Sequence, residues 1–141
     1  MGSTSLAYVT ATVLCALALG GMVFFAAVFA PAVVRKLSSE VATGVINAVF
    51  PFYYSCLIVL SGVAAGLLWS RSEATVLAAM AVLFAFARFA LVPRMDRARQ
   101  ASSAGDTSET ETFAHLQSLS ALVHFAQMAA LVAVFVRLLV A

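Results

Sequence analysis

Apolar positions run together along most of this chain, and short polar interruptions divide them into four long segments. Leu6 to Ala30, Phe50 to Ser70, Ala74 to Val92 and Phe113 to Ala141 are each mostly apolar, over the roughly 20 residues a helix needs to cross a bilayer. The pattern predicts four membrane-spanning helices, at about 6–30, 50–70, 74–92 and 113–140. Pro31 closes the first, and Arg35 and Lys36 follow it. Leu37 to Val49 is mildly amphipathic, with Val41, Val45 and Val49 on one face, and is too short and polar to cross. It reads as a short interfacial helix between spans 1 and 2, capped by Ser38 or Ser39 with Glu40 in its first turn. Pro51 then falls in the first turn of the second span, where a proline is tolerated. Arg71-Ser72-Glu73 is a tight turn in which Ser72 is placed to cap the third span, so spans 2 and 3 are antiparallel neighbours. Arg94 to Thr112 reads as the longest and most mobile loop. Ser108-x-x-Glu111 has capping-box spacing and starts the last helix near Glu109. The expected fold is all-α, an up-down antiparallel four-helix bundle integral to a membrane, with one domain over residues 1–141.

Composition agrees with that pattern: 64% of residues are hydrophobic and 10% charged, against about 45–50% and 25% in soluble domains. The lipid bilayer is the implied partner. The formal charge of +2 comes from basic residues at span ends, without the basic stripe that nucleic-acid binding requires. An amino-terminal signal peptide would carry a basic leader and a shorter apolar core, so the first segment reads as a retained span. Arg35, Lys36, Arg94, Arg97 and Arg99 lie on the side of the first and third connections. The positive-inside rule therefore places residues 93–112 in the cytoplasm and both termini outside, in what would be a bacterial inner membrane. Cys15 and Cys56 read as small buried side chains, too far apart in depth to form a disulfide.

The last span carries the polar residues that recur on one helix face. At about 100° per residue, Gln117, Ser120, His124 and Gln127 fall within roughly 80°, and Leu131 continues the line. Lipid offers that strip no hydrogen-bond partner, so it is expected to face inward and is the candidate binding surface. Thr12, Ala16 and Gly20 form one close-packing face of small residues, and Gly62 and Gly66 head another. Tyr53 and Tyr54 are expected to anchor the second span at the interface. Arg88, one turn before Pro93, either snorkels or faces the bundle as an anion or carboxylate partner.

Gly20 to Pro31, the basic pair with Leu37, Gly44, Ala48 to Tyr54, and Leu91-Val92-Pro93 together resemble the transmembrane protein 205-like family of integral-membrane domains. That resemblance implies a four-helix membrane domain of largely uncharacterised function. The family's last helix reads His-x-x-Ser-x-x-x-Asn, and in that register this chain offers Gln117, Ser120 and His124. The resemblance thus implies a polar strip of altered chemistry. At fold level the family is similar to four-helix proteins that handle copper or haem.

Three functional readings follow. In the first, the strip only bonds across the bundle and the protein is a non-enzymatic scaffold or accessory subunit, alone, as a homo-oligomer or in a larger membrane complex. In the second, His124 and Gln127 line a pathway for transport or efflux of a small molecule or metal. In the third, the protein binds haem b or copper. His115 lies about 180° from His124, so a metal would rest on His124 with Met128 as its neighbour, a sparse ligand set. Ser120 and His124 have no intramembrane carboxylate to complete a hydrolytic triad, so no catalytic residues and no resident cofactor are expected.

Overall fold

A computed structural model describes residues 2–140. Four long helices make up nearly all of it, two of them interrupted by a π-helical turn. The first is α1 (Gly2–Phe24), a π segment (Phe25–Phe29) and α2 (Ala30–Lys36) end to end; the second is α3 (Ser39–Leu67). The third is α4 (Ser72–Phe86), a π segment (Ala87–Leu91) and α5 (Val92–Ser103); the fourth is α6 (Thr107–Val140). All four contain stretches long and apolar enough to cross a membrane. Each packs on its neighbours, α1 on α3 and α6, α3 on α4, and α4 and α5 on α6, which closes an antiparallel four-helix bundle. The α2–α3 and α5–α6 connections share one end, called here the near end. The α3–α4 connection, the start of α1 and the end of α6 lie at the far end.

Both π turns sit just before a proline. Ala30 N–H donates to Phe25 O and Val92 N–H donates to Ala87 O, each one residue beyond the α-helical partner. The ring of Pro31 or Pro93 would press on the carbonyl four residues earlier in a regular α-helix. A widened turn relieves that clash without ending the helix.

Pro51 behaves differently and corrects the expectation of a separate interfacial helix. The chain breaks only at Leu37 and Ser38, both extended, and α3 then runs unbroken through Pro51. Its first third packs on α2 and α5 and buries Ala42, so it is held by protein on two sides and does not lie flat in the interface. Ser38 stands at the cap position without a side-chain bond, and so does Arg71, the residue before Ser72, at the start of α4.

The expected long loop is helical as well. α5 continues to Ser103, packs on α6 and buries Ala98. The reversal takes three residues, with Gly105 at φ 97°, a left-handed geometry suited to glycine,. Asp106, not the Ser108-Glu111 pair, caps α6: its Oδ1 accepts from Ser108 N–H at 3.0 Å and from Ser108 Oγ at 2.7 Å. Those bonds, the side-chain one first, hold the Asp106 carboxyl below its usual value of 3.8,. A depressed folded value gives stability that is present above the unfolded value and lost as pH falls through the folded one. Amide exchange over the first turn of α6 is therefore expected to quicken below about pH 4, while in Asp106→Ala it stays fast at every pH. An equal acid response in that variant would remove Asp106 as the cause.

The core corrects the two small-residue faces. On α1 the buried line is Ala11, Cys15, Ala18 and Met22; Ala16 and Gly20 point outward and Thr12 is half-buried. On α3 it is Tyr54, Leu57, Ser61, Ala64 and Leu68, while Gly62 and Gly66 face out with open space where a Cβ would stand. Spacing by fours marks a stripe but not its direction; the bulkier Met22, Tyr54 and Leu57 supply the contact area that decides which stripe turns inward. Cys56 is likewise exposed, against expectation, and both cysteines are free. Large apolar side chains such as Phe52 and Phe89 cover the outer surface, as lipid contact requires.

The far end is closed by side chains. Arg137 meets the buried Glu73 at 3.7 Å, the Arg71 guanidinium lies 4.8 Å from the centre of the Tyr8 ring, and the Tyr8 hydroxyl donates to Leu138 O.

Candidate functional site

The interior is apolar at the far end and polar toward the near end. Leu68, Leu131, Val134 and Leu138 fill the far half with Ala11 and Cys15. Toward the near end a cavity of about 360 Å³ opens between α2, the first part of α3 and the first part of α6. Its polar lining is Thr43, Asn47, Tyr54, Gln117, Ser120 and His124, with no Asp, Glu, Lys or Arg among them. The walls are largely aromatic, with Phe25, Phe50, Phe113 and Phe125.

Three of the four strip residues thus come together in one cavity. Gln117 is exposed at its mouth, and Ser120 and His124 are half-buried within it. Gln127, 2% exposed, sits one turn deeper in the core. Ser120 on α6 and Tyr54 on α3 both line the cavity. Because α3 and α6 run the same way, Ser61 and Gln127, each seven residues on, share the next level about 10 Å deeper.

Tyr53 and Tyr54 are not interface anchors. Tyr54 is buried, and Tyr53 stacks on Phe25 with ring centres 4.5 Å apart. The aromatic group continues through Phe50, Phe29 and Phe84 and places Tyr53 6.0 Å from the His124 ring. Following two apolar turns, a tyrosine pair resembles a membrane belt in sequence. Once Pro51 is internal to α3, Tyr54 falls in line with the buried Leu57 and Ser61 and turns inward with them.

Arg88 faces protein: half-buried, it donates from Nη1 to Pro51 O at 3.1 Å and lies 5.1 Å from the centre of the Phe89 ring. Of the two alternatives it takes the bundle-facing one, with a backbone carbonyl as its partner in place of an anion or carboxylate. Ser55 Oγ donates to the same carbonyl at 2.7 Å.

Thr43 and Asn47 are site residues that the sequence reading passed over. With α3 continuous, Thr43, Asn47, Phe50, Tyr54, Leu57 and Ser61 fall within roughly 80° of one helix face. That line was hidden by reading Pro51 as a boundary.

Among the described residues, the buried side-chain atoms without a hydrogen-bond partner in the protein are Tyr53 OH, Ser61 Oγ, His124 Nε2 and both amide atoms of Gln127. Of these residues His124 lines the cavity, and Tyr53, Ser61 and Gln127 do not. A bond across the bundle is what a residue needs to fix helix register, and neither Gln127 nor His124 Nε2 makes one. No group of three or more His, Cys, Asp or Glu among the described residues could hold a metal ion, and Met128 is half-buried one turn from His124.

The family described as Domain of unknown function (DUF4149) matches residues 13–104. The match takes in α3 to α5 and most of the first helix, and it stops before the polar strip of α6. No curated protein and no solved structure matches the chain significantly.

Proposed function

We propose, from the premise that this chain belongs to the DUF4149 family, that it is a non-enzymatic membrane module that binds a small uncharged molecule in its near-end cavity. One observation carries the reading: a cavity of ligand size has apolar and aromatic walls and a few polar side chains, Thr43, Asn47, Tyr54, Gln117, Ser120 and His124, in its lining. Binding sites for small molecules have that composition, mostly apolar with a few placed polar groups. The absence of Asp, Glu, Lys and Arg from the lining selects an uncharged occupant, since an ion there would be stripped of water without compensation,.

The resemblance to the transmembrane protein 205-like family supports the same membrane assignment, and its best-matched stretch, Gly20 to Tyr54, lies inside the family match and holds Phe25, Thr43 and Asn47. By the positive-inside count the near end faces the cytoplasm, so the cavity takes its ligand from that side. Passage across the membrane needs more than this shape provides, because the far half is packed shut.

Thermal stability in lipid nanodiscs tests the reading. Saturating 1-decanol or 1-naphthol is expected to raise the melting temperature, because a ligand held at about 100 times its Kd stabilises the folded state by roughly 2.7 kcal/mol. Decanoate and decyltrimethylammonium are expected to leave it unchanged, and Ala121→Trp, which fills the cavity, to lose the neutral response. Equal stabilisation by the charged probes, or none by the neutral ones, would refute it.

A further inference from the structure

The first helix parts from α6 where its π turn begins. α1 packs on α6, yet among the described residues no Cα of the π segment Phe25–Phe29 or of α2 comes within 8 Å of one in α6. Helices in contact lie about 8–10 Å apart axis to axis, with their facing Cα atoms nearer still. The matching turn before Pro93 opens nothing, since its π segment and α5 both stay on α6. A gap therefore runs between α2 and α6 on the near side of Phe25. From Phe25 to Lys36 the first helix climbs about 16 Å, close to half of the roughly 30 Å hydrocarbon thickness, and Lys36 marks the polar boundary. The gap thus spans the leaflet on the near side and stands open to its acyl chains. The cavity lies directly behind it: Val34 on α2 and Phe125 on α6 both line the cavity and are 61% and 57% exposed.

The lining sets what such an opening admits. The wall given by the first helix is apolar, with Phe25, Ala26, Ala30 and Val34, and the polar groups stand on α3 and α6. Of these, Asn47 and Gln117 lie nearest the near end, where an amphiphile of that leaflet keeps its head while its chain points to the membrane centre. Resting on the cavity reading above, we infer that the ligand is an uncharged single-chain lipid of the near-side leaflet. It enters sideways between α2 and α6, with a hydroxyl-bearing head at Asn47 and Gln117 and its chain along Phe25. Amide side chains both donate and accept, as a hydroxyl head requires. A cavity of about 360 Å³ is near the small end of ligand sites and holds one chain,. Bilayer chains are as apolar as this wall, so the tail gains little on entry and the head's hydrogen bonds select the ligand.

The test uses the full chain in nanodiscs doped with 1-monooleoylglycerol, or with its derivative dibrominated at the double bond, which quenches tryptophan. Trp69, the chain's own tryptophan, lies at the far end and is replaced by Phe. Tyr54→Trp then places a reporter in the buried part of the lining. That reporter is expected to lose most of its emission, saturating as the brominated monoglyceride is raised, and to resist aqueous acrylamide. Phe84→Trp, buried away from the cavity, should keep its emission. Equal quenching of both reporters, or equal quenching of the Tyr54→Trp reporter by dibrominated phosphatidylcholine at the same mole fraction, overturns the ligand class. Absent bromine quenching, or stronger quenching by acrylamide, overturns sideways entry. The unsubstituted chain decides the matter even if Tyr54→Trp fails to fold: monooleoylglycerol should raise its melting temperature, and no rise overturns the inference. In that event a rise with 1-decanol leaves the cavity reading standing, and no rise with decanol removes both.

Discussion

Phe84→Ala is expected to lower the unfolding free energy by about 3 kcal/mol, the largest loss from any single truncation in the chain. Phe84 is fully buried on α4 and its ring lies 6.4 Å from that of Tyr54 across the bundle. In lipid the transfer part of a core truncation shrinks, because lipid tails are as apolar as the bundle interior. What remains is lost dispersion contact and the void itself, since packed neighbours relax only in part. Equilibrium unfolding in mixed micelles, with helicity as the signal, measures it. A loss under 1 kcal/mol would mean that α3 and α4 collapse around the gap, and that the core is softer than its packing implies.

Gln127→Leu is expected to have the opposite sign although Gln127 is as deeply buried. Neither of its amide atoms has a partner, and leucine has nearly the same volume with nothing to desolvate. Removing an unsatisfied amide returns about 1–2 kcal/mol, so the same unfolding experiment should show a more stable protein. Were the amide bonding helices together, its removal would cost stability. A destabilised Gln127→Leu would therefore restore the scaffold reading of the strip. Two buried residues with opposite outcomes separate the part of the interior that holds the fold from the part that is kept for something else.

The architecture is legible in the sequence because membrane length and apolarity are one-dimensional properties: four runs, four helices. The direction each helix faces is less so. The α6 strip reads inward correctly from Ser120 to Gln127, because polar residues among apolar ones have one place to go in lipid. The stripes of Gly20 and Gly66 do not, because small residues suit a tight interface and an outer surface equally well. The largest part of the site that sequence missed, Thr43 and Asn47, was lost to one proline. Pro51 marks a boundary when only its missing N–H is considered. In the fold, α2 and α5 clamp the helix before it, and Arg88 and Ser55 hold its carbonyl. The clamp and the Arg88 bond are tertiary facts with no local signature, and the Ser55 bond is a contact within the helix itself. The loop at 94–112 failed for a similar reason: its polar, Ser-rich composition reads as disorder until Ala98 finds a place against α6.

The closed far half has an electrical consequence. Packed with Leu68, Leu131, Val134 and Leu138, it is the dry, low-dielectric portion of the bundle, and the voltage across a membrane falls mainly where the dielectric is lowest. The cavity lies toward the near end, outside that packed portion, so a ligand bound there as proposed would sit outside the part of the bundle across which most of the voltage falls.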